Sequence, residues 1–229
     1  MSEKGMNNTK DNNILTTKTR RIMKRVFNLL VVDESGSMEI IRKQALMGIN
    51  ETLETIRKID KAHNDLEQRV TLITFDSTHK KLFYDNVAAA DARSLGARDY
   101  CPGGATPLYD AIGMGIAKIN AQATDDDNVL VTIITDGEEN CSEEYNLGMI
   151  KNLIEKLKKQ GWTFTFIGTD NLDVEAMATD MGIDNHLMFE ENEEGTKEMF
   201  AREKKSRMRY SACVALGESM PTGEYFDKE

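Results

Sequence analysis

Asp33-Glu34-Ser35-Gly36-Ser37-Met38 follows directly on the apolar run Val26 to Val32, and the reading of that junction decides the fold. An apolar, β-branched-rich run of this length predicts a buried strand. The acid, hydroxyls and glycine after it form a polar loop. An amphipathic helix comes next, because Ile41, Ala45, Ile49, Leu53, Ile56 and Ile59 recur at three- and four-residue spacing, with Ser37 expected as its cap. Strand, polar loop and helix start, in that order, put the loop where open α/β sheets bind ligands. Its oxygen donors suit a hard cation such as magnesium.

The same alternation continues along the chain. Val70 to Phe75 reads as a strand, and Leu82-Phe83-Tyr84, beyond the short connection Asp76 to His79, predicts an antiparallel hairpin whose second strand lies at a sheet edge. Cys101-Pro102-Gly103-Gly104-Ala105-Thr106-Pro107 forces a tight loop. Pro107 suits a first helical position with Thr106 as its cap, and a helix through Leu108, Ala111, Ile112, Ile116 and Ile119 follows. Val129 to Ile134 is continuously apolar, as central parallel strands are, and ends in Thr135-Asp136-Gly137. Further elements are expected as a helix over 145–160, a strand over 162–168, a helix over 174–181, a strand over 186–189 and a charged helix over 194–210. The fold class is therefore a doubly wound α/β sheet, mostly parallel with one antiparallel edge strand and helices on both faces. It is expected as one domain over residues 24–212, between a disordered or loosely attached basic leader (1–23) and a C-terminal tail (213–229) frayed from Gly217.

Composition narrows the function classes. The 229 residues carry a net charge of −10, which argues against nucleic acid as the partner. Lys4, Lys10, Lys18, Arg20, Arg21, Lys24 and Arg25 outnumber Glu3 and Asp11 over the first 25 residues, leaving the remainder at −15. A solvated leader is the simpler reading of that basic segment. No stretch approaches the ~20 apolar residues of a membrane helix, and no signal-peptide core is visible, so a cytoplasmic protein without membrane contact is expected. Cys101, Cys141 and Cys213 are odd in number and far apart, which speaks for reduced thiols rather than a disulfide framework. Methionines and Trp162 are read as core fillers.

Oxygen donors on three separated segments form the candidate site. Asp33, Ser35 and Ser37 follow the first strand, Thr106 precedes the second helix, and Asp136 follows the central strand. In a doubly wound sheet those loops share one rim. A magnesium-type cation takes about six oxygens and retains waters. Two carboxylates and three hydroxyls would hold it with little ligand charge and leave a position for a partner's carboxylate.

These residues resemble the Asp-x-Ser-x-Ser, Thr and Asp elements of the von Willebrand factor type A domain, over roughly residues 24–210, and the surroundings of Thr106 resemble stand-alone bacterial members. The resemblance implies a Rossmann-like fold and a metal-ion-dependent adhesion site. In it Ser35, Ser37 and Thr106 would ligate Mg2+ (or Mn2+ or Ca2+) through hydroxyls, with Asp33 and Asp136 direct or through water. The implied function is a protein-binding adaptor or scaffold that captures a partner's Asp or Glu, not an enzyme. Glu34, Glu138 and Glu139 are read as solvated acids at the rim. Two alternatives stand beside it. A Mg-dependent hydrolase or phosphatase is disfavoured, because aspartyl-phosphate phosphatases need an acid two residues after the nucleophile, where Ser35 stands, and no Ser-His-Asp or Cys-His pairing is suggested. An adaptor subunit for an ATPase or stress-response complex would leave any nucleotide to its partner, since the chain has no nucleotide-binding loop.

Overall fold

A computed structural model describes residues 23–227, so the basic leader expected over 1–23 lies, Met23 apart, outside the described residues. Six strands form one sheet: β1 (Lys24–Asp33), β2 (Leu66–Phe75), β3 (Lys80–Ala88), β4 (Asn128–Thr135), β5 (Thr163–Thr169) and β6 (Asn185–Phe189). Their order across the sheet is β3-β2-β1-β4-β5-β6. Every pairing is parallel except β2 with the edge strand β3, as expected from the short polar turn between those two. The helices are α1 (Arg42–Ala62), α2 (Leu108–Asn120), α3 (Leu147–Lys158), α4 (Val174–Asp180) and α5 (Glu193–Leu216).

Alternation along β1 divides the core. Val26, Leu30 and Val32 face one layer, built with Ile41, Ile49, Leu53 and Ile56 around α1 and Met199, Phe200, Tyr210 and Val214 of α5. Phe27, Leu29 and Val31 face the other, with Leu108, Ile112 and Ile116 of α2, Ile150 and Ile154 of α3, and Val174 and Ala178 of α4. A strand covered on both faces is apolar at nearly every position, which is why the first and fourth strands read as apolar runs interrupted only at Asn28 and Thr132.

The order in which strands are added to the sheet reverses at β1. From it the chain moves outward through β2 and β3, then returns to place β4 on its other side, with Val32 opposite Ile134. The crevice at the carboxyl ends of β1 and β4 is thus the switch point of the sheet, where ligands bind in folds of this kind. Asp33 closes β1, and Asp136 follows β4 by one residue.

Two expectations about the C-terminal part are corrected. The final helix does not stop near Tyr210 but runs to Leu216, ending at Gly217 with φ +80°, a left-handed cap that glycine adopts without steric cost. Residues 218–227 are not frayed: Tyr225 is fully buried, its N–H donates to Asn185 Oδ1 and its hydroxyl to Glu203 Oε1. Nor is α5 charged only toward solvent. Glu203 and Arg207, one turn apart, point inward, and Arg207 donates to Glu203, to Asn28 of β1 and to Thr132 of β4. The methionines are also divided: Met38, Met181 and Met199 are buried, whereas Met23, Met47, Met149, Met188 and Met208 are exposed. Trp162 is buried, as expected.

Candidate functional site

At the end of β1, Asp33 is completely buried and both of its oxygens are engaged. Oδ1 accepts the Ser35 N–H at 2.7 Å, and Oδ2 accepts the Thr135 hydroxyl at 2.6 Å. The backbone of Asp33 is fixed as well, because the buried Tyr100 hydroxyl donates to its carbonyl at 2.6 Å. A single 3-10 turn, Gly36–Glu39, carries the chain from this loop toward α1. It brings Ser37 Oγ to 3.2 Å from Ser35 Oγ and lets Ser37 donate to Asp136 Oδ1 at 2.7 Å. Ser37 therefore does not cap α1: Ile41 occupies that position without a side-chain cap, and the Ser37 hydroxyl points across to the β4 loop.

Thr106 also departs from its expected capping role. Pro107 is the cap residue of α2, with no side-chain cap bond, and Thr106 is buried beside Gly137. A Cβ built on Gly137 would stand 2.9 Å from Thr106 Oγ1 and 3.7 Å from Asp33 Oδ2, so any side chain there would fill the space into which both groups face. Asp33, Ser35, Ser37, Thr106 and Asp136 are thus brought together at one rim by three loops. Four of the five are buried, and Ser37 is the exposed member at the mouth.

Loop-to-loop hydrogen bonds hold this arrangement. Gly36 N–H donates to Gly104 O, and Gly103 N–H donates to Glu34 O. Glu34 is not a solvated acid, being 1% exposed. Its carboxylate accepts from Thr74 Oγ1, from the Cys101 N–H and from Lys81 Nζ, which pairs with it at 2.7 Å. Glu139 is likewise occupied, accepting from the N–H groups of Tyr109, Cys141 and Ser142 and from the Ser142 hydroxyl. Asp110 in α2 accepts the successive N–H groups of Glu143, Glu144 and Tyr145. These acids act as staples between loops. Thr135, Tyr100 and Asn140 were not singled out from the sequence, because their partners Asp33 and Thr106 are tens of residues away. Cys101 is exposed, and all three thiols are free.

The electrostatics of the pair are unusual. Burial pushes the Asp33 carboxyl up to about 6, against the opposing hydrogen bonds from Thr135 and Ser35. Burial pushes Asp136 up to about 7, reinforced by the charges of Asp33 and Glu191. Asp136 Oδ2 is buried with no hydrogen-bond partner. Two carboxylates in a desolvated pocket resist ionisation unless a positive charge joins them, and an orphaned buried oxygen calls for a ligand. Among the described residues, no group of three or more His, Cys, Asp or Glu is arranged to hold a metal. The donors here are two carboxylates and three hydroxyls, a set that fits a hard, oxygen-seeking divalent cation.

Comparison with known proteins agrees with the fold. The model of the von Willebrand factor type A domain matches residues 29–202, and the chain belongs to that family. Among solved structures it is similar to the PilB minor pilin from Streptococcus sanguinis, at 14% identity and a TM-score of 0.61 over 87% of this chain. It is similar also to the vWF domain of the type V pili tip protein Mfa5 from Porphyromonas gingivalis, at 11% identity and a TM-score of 0.61, covering 87% of this chain and 98% of that one. The SpRpn10 VWA domain matches at 9% identity and a TM-score of 0.55, covering 78% and 94%. At these identities the likeness is one of fold, and the chain spans 64% of the length of the minor pilin. No curated protein matches.

Proposed function

We propose that this von Willebrand factor type A domain is a divalent-metal-dependent protein-binding module. Asp33, Ser35, Ser37, Thr106 and Asp136 would hold Mg2+, with Mn2+ or Ca2+ as substitutes, forming a metal-ion-dependent adhesion site. The partner is a protein that presents an Asp or Glu side chain. The observation that carries this reading is Asp136, whose Oδ2 is buried and unpartnered while its Oδ1 accepts from Ser37. A bound cation would supply the positive charge that two desolvated carboxylates need, together with a coordination position for an oxygen from outside.

The chain's own residues divide that task. Asp33 is locked from both sides by Ser35 and Thr135 and would set the inner wall. Ser37, exposed at the mouth, lies where an incoming group would meet the site. Binding rather than catalysis is favoured by the surroundings of the histidines: His79 is engaged with Thr78 and Asp76 in its own turn, His63 ends α1, and His186 lies on the edge strand β6. None of these is placed to serve a nucleophile at the rim.

Calorimetric titration of Mg2+ into the wild-type protein and the Asp33→Ala variant tests the assignment. Binding by the wild type alone is expected, and equal binding by both would remove the site. Recovery of a partner from lysate that is lost on chelation, and lost in Asp33→Ala, is the matching test of the adaptor role.

A further inference from the structure

Thr106 is the donor least supported by regular structure. It lies between the Gly103-Gly104-Ala105 loop, where Gly104 has φ +73°, and Pro107, which has no N–H of its own. Helix α2 begins only at Leu108, so the backbone of Thr106 belongs to neither a helix nor a strand. Both of its main-chain groups are instead taken by one residue. Thr106 N–H donates to Asn140 Oδ1 at 2.9 Å, and Asn140 N–H donates to Thr106 O at 3.2 Å. The amide orientation follows from this chemistry, because only the side-chain oxygen can meet an N–H.

Asn140 sits on the loop that also carries Asp136 and Gly137. That one loop contributes a carboxylate, leaves room for the Thr106 hydroxyl by having no Cβ at Gly137, and grips the backbone from which the hydroxyl projects. Glu139 and Asp110 attach the same loop to the first turn of α2 through Tyr109, Glu143, Glu144 and Tyr145, but neither touches Thr106 itself. We propose that Asn140 is a positioning residue of the metal site: its two hydrogen bonds to the Thr106 backbone aim Thr106 Oγ1 at the cation and hold it in register with Asp136. This inference rests on the metal-binding reading above.

The test compares wild type, Asn140→Ala, Asn140→Asp and the control Asn146→Ala. Asn146 caps α3 by accepting from Met149 N–H, so its loss perturbs the same connection without reaching Thr106. Two quantities are read: Mg2+ affinity by calorimetry, and hydrogen exchange of the Thr106 amide in the chelator-treated protein. Loss of the orienting partner is expected to weaken Mg2+ binding about tenfold in Asn140→Ala, the lower end of what groups supporting metal ligands contribute, and to expose the Thr106 amide. Asn140→Asp retains the acceptor and is expected to recover both, to within about twofold in affinity when measured in salt that screens its added charge. Asn146→Ala should bind Mg2+ like the wild type even where it melts earlier.

Wild-type affinity in Asn140→Ala, or an equal loss in Asn146→Ala, would overturn the positioning role while leaving the metal site standing. Failure of the wild type to bind Mg2+, Mn2+ or Ca2+ would overturn the metal reading, and the inference with it, before any variant is made.

Discussion

Replacing Asp136 with asparagine is expected to stabilise the metal-free protein at alkaline pH while abolishing its response to metal. Burial moves the Asp136 carboxyl from 3.8 to about 7. A raised value in the folded state means that folding favours the protonated form. The penalty is therefore absent below about pH 3.8, grows as pH climbs through the window, and levels off above about pH 7. Linkage puts it at about 4 kcal/mol around pH 8 and about 1–2 kcal/mol around pH 5. Asparagine removes the charge and keeps an oxygen to accept from Ser37. It also puts an unpartnered N–H2 where the orphaned Oδ2 lies, at a cost of about 1–3 kcal/mol. The net gain is then about 1–3 kcal/mol around pH 8, and roughly none around pH 5.

For a chain of this size each kcal/mol moves the melting temperature by about 2–4 °C. Asp136→Asn in a chelator should thus melt several degrees above the wild type around pH 8, and the difference should close around pH 5. Millimolar Mg2+ should raise the wild type and leave the variant unmoved. Thermal unfolding followed by circular dichroism reads all of these. A variant no more stable than the wild type at alkaline pH, or one whose gain is the same at both pH values, would refute the claim that the buried charge is uncompensated.

Three further outcomes follow from the same geometry. Protons compete with metal for Asp33 and Asp136, so Mg2+ affinity should fall as pH drops through about 7 and then 6; calorimetry giving a flat profile between about pH 8 and pH 5 would contradict this. Gly48→Ala places a Cβ 2.0 Å from the Phe200 ring, where α1 meets α5. Overpacking there should cost about 1–3 kcal/mol in urea unfolding, partly recovered by adding Phe200→Leu, and an unchanged midpoint would argue against that contact. Arg207→Met leaves the Glu203 carboxyl buried beside Tyr225 without its cation, with an expected loss of about 3–5 kcal/mol. The double variant Arg207→Met with Glu203→Gln should lose less in the same urea assay, and equal losses would count against the ion pair.

The fold was legible where local pattern and burial coincide. Val26 to Val32 and Val129 to Ile134 are apolar at nearly every position because both faces of those strands are covered, and the antiparallel edge followed from the short turn after Phe75. The same two strands, read with the residues just beyond their ends, brought Asp33 and Asp136 to one crevice. What was not legible depends on partners distant in sequence. Ser37 and Thr106 are of the residue type preferred at a helix cap and stand just ahead of helical patterns, yet a 3-10 turn and a proline move the helix starts past them. Glu34 and Glu139 lie in polar loops, where acids are ordinarily solvated. Glu34 is buried by Thr74, Lys81 and Cys101, and Glu139 is half-buried against Tyr109. Glu203 and Arg207 at i,i+4 spacing look like an exposed pair, and only the packing of α5 onto Asn28 and Thr132 turns them inward.

A division of labour among the acids underlies these cases. Glu34, Glu139 and Asp110 are buried or half-buried and well supplied with donors, so each of them joins loops at little electrostatic cost. Asp33 and Asp136 lie in the same crevice with fewer donors, and Asp136 keeps one oxygen unmet. Had the fold needed only staples, the donors that surround Glu139 could have been repeated at Asp136. Instead the donor-rich acids rigidify the loops around a pair left electrostatically unsatisfied, and two such carboxylates within a fixed frame are what would give the proposed cation its binding energy there. The stability lost at Asp136 and the metal affinity proposed for it are therefore two measures of one quantity, and both should disappear together in Asp136→Asn.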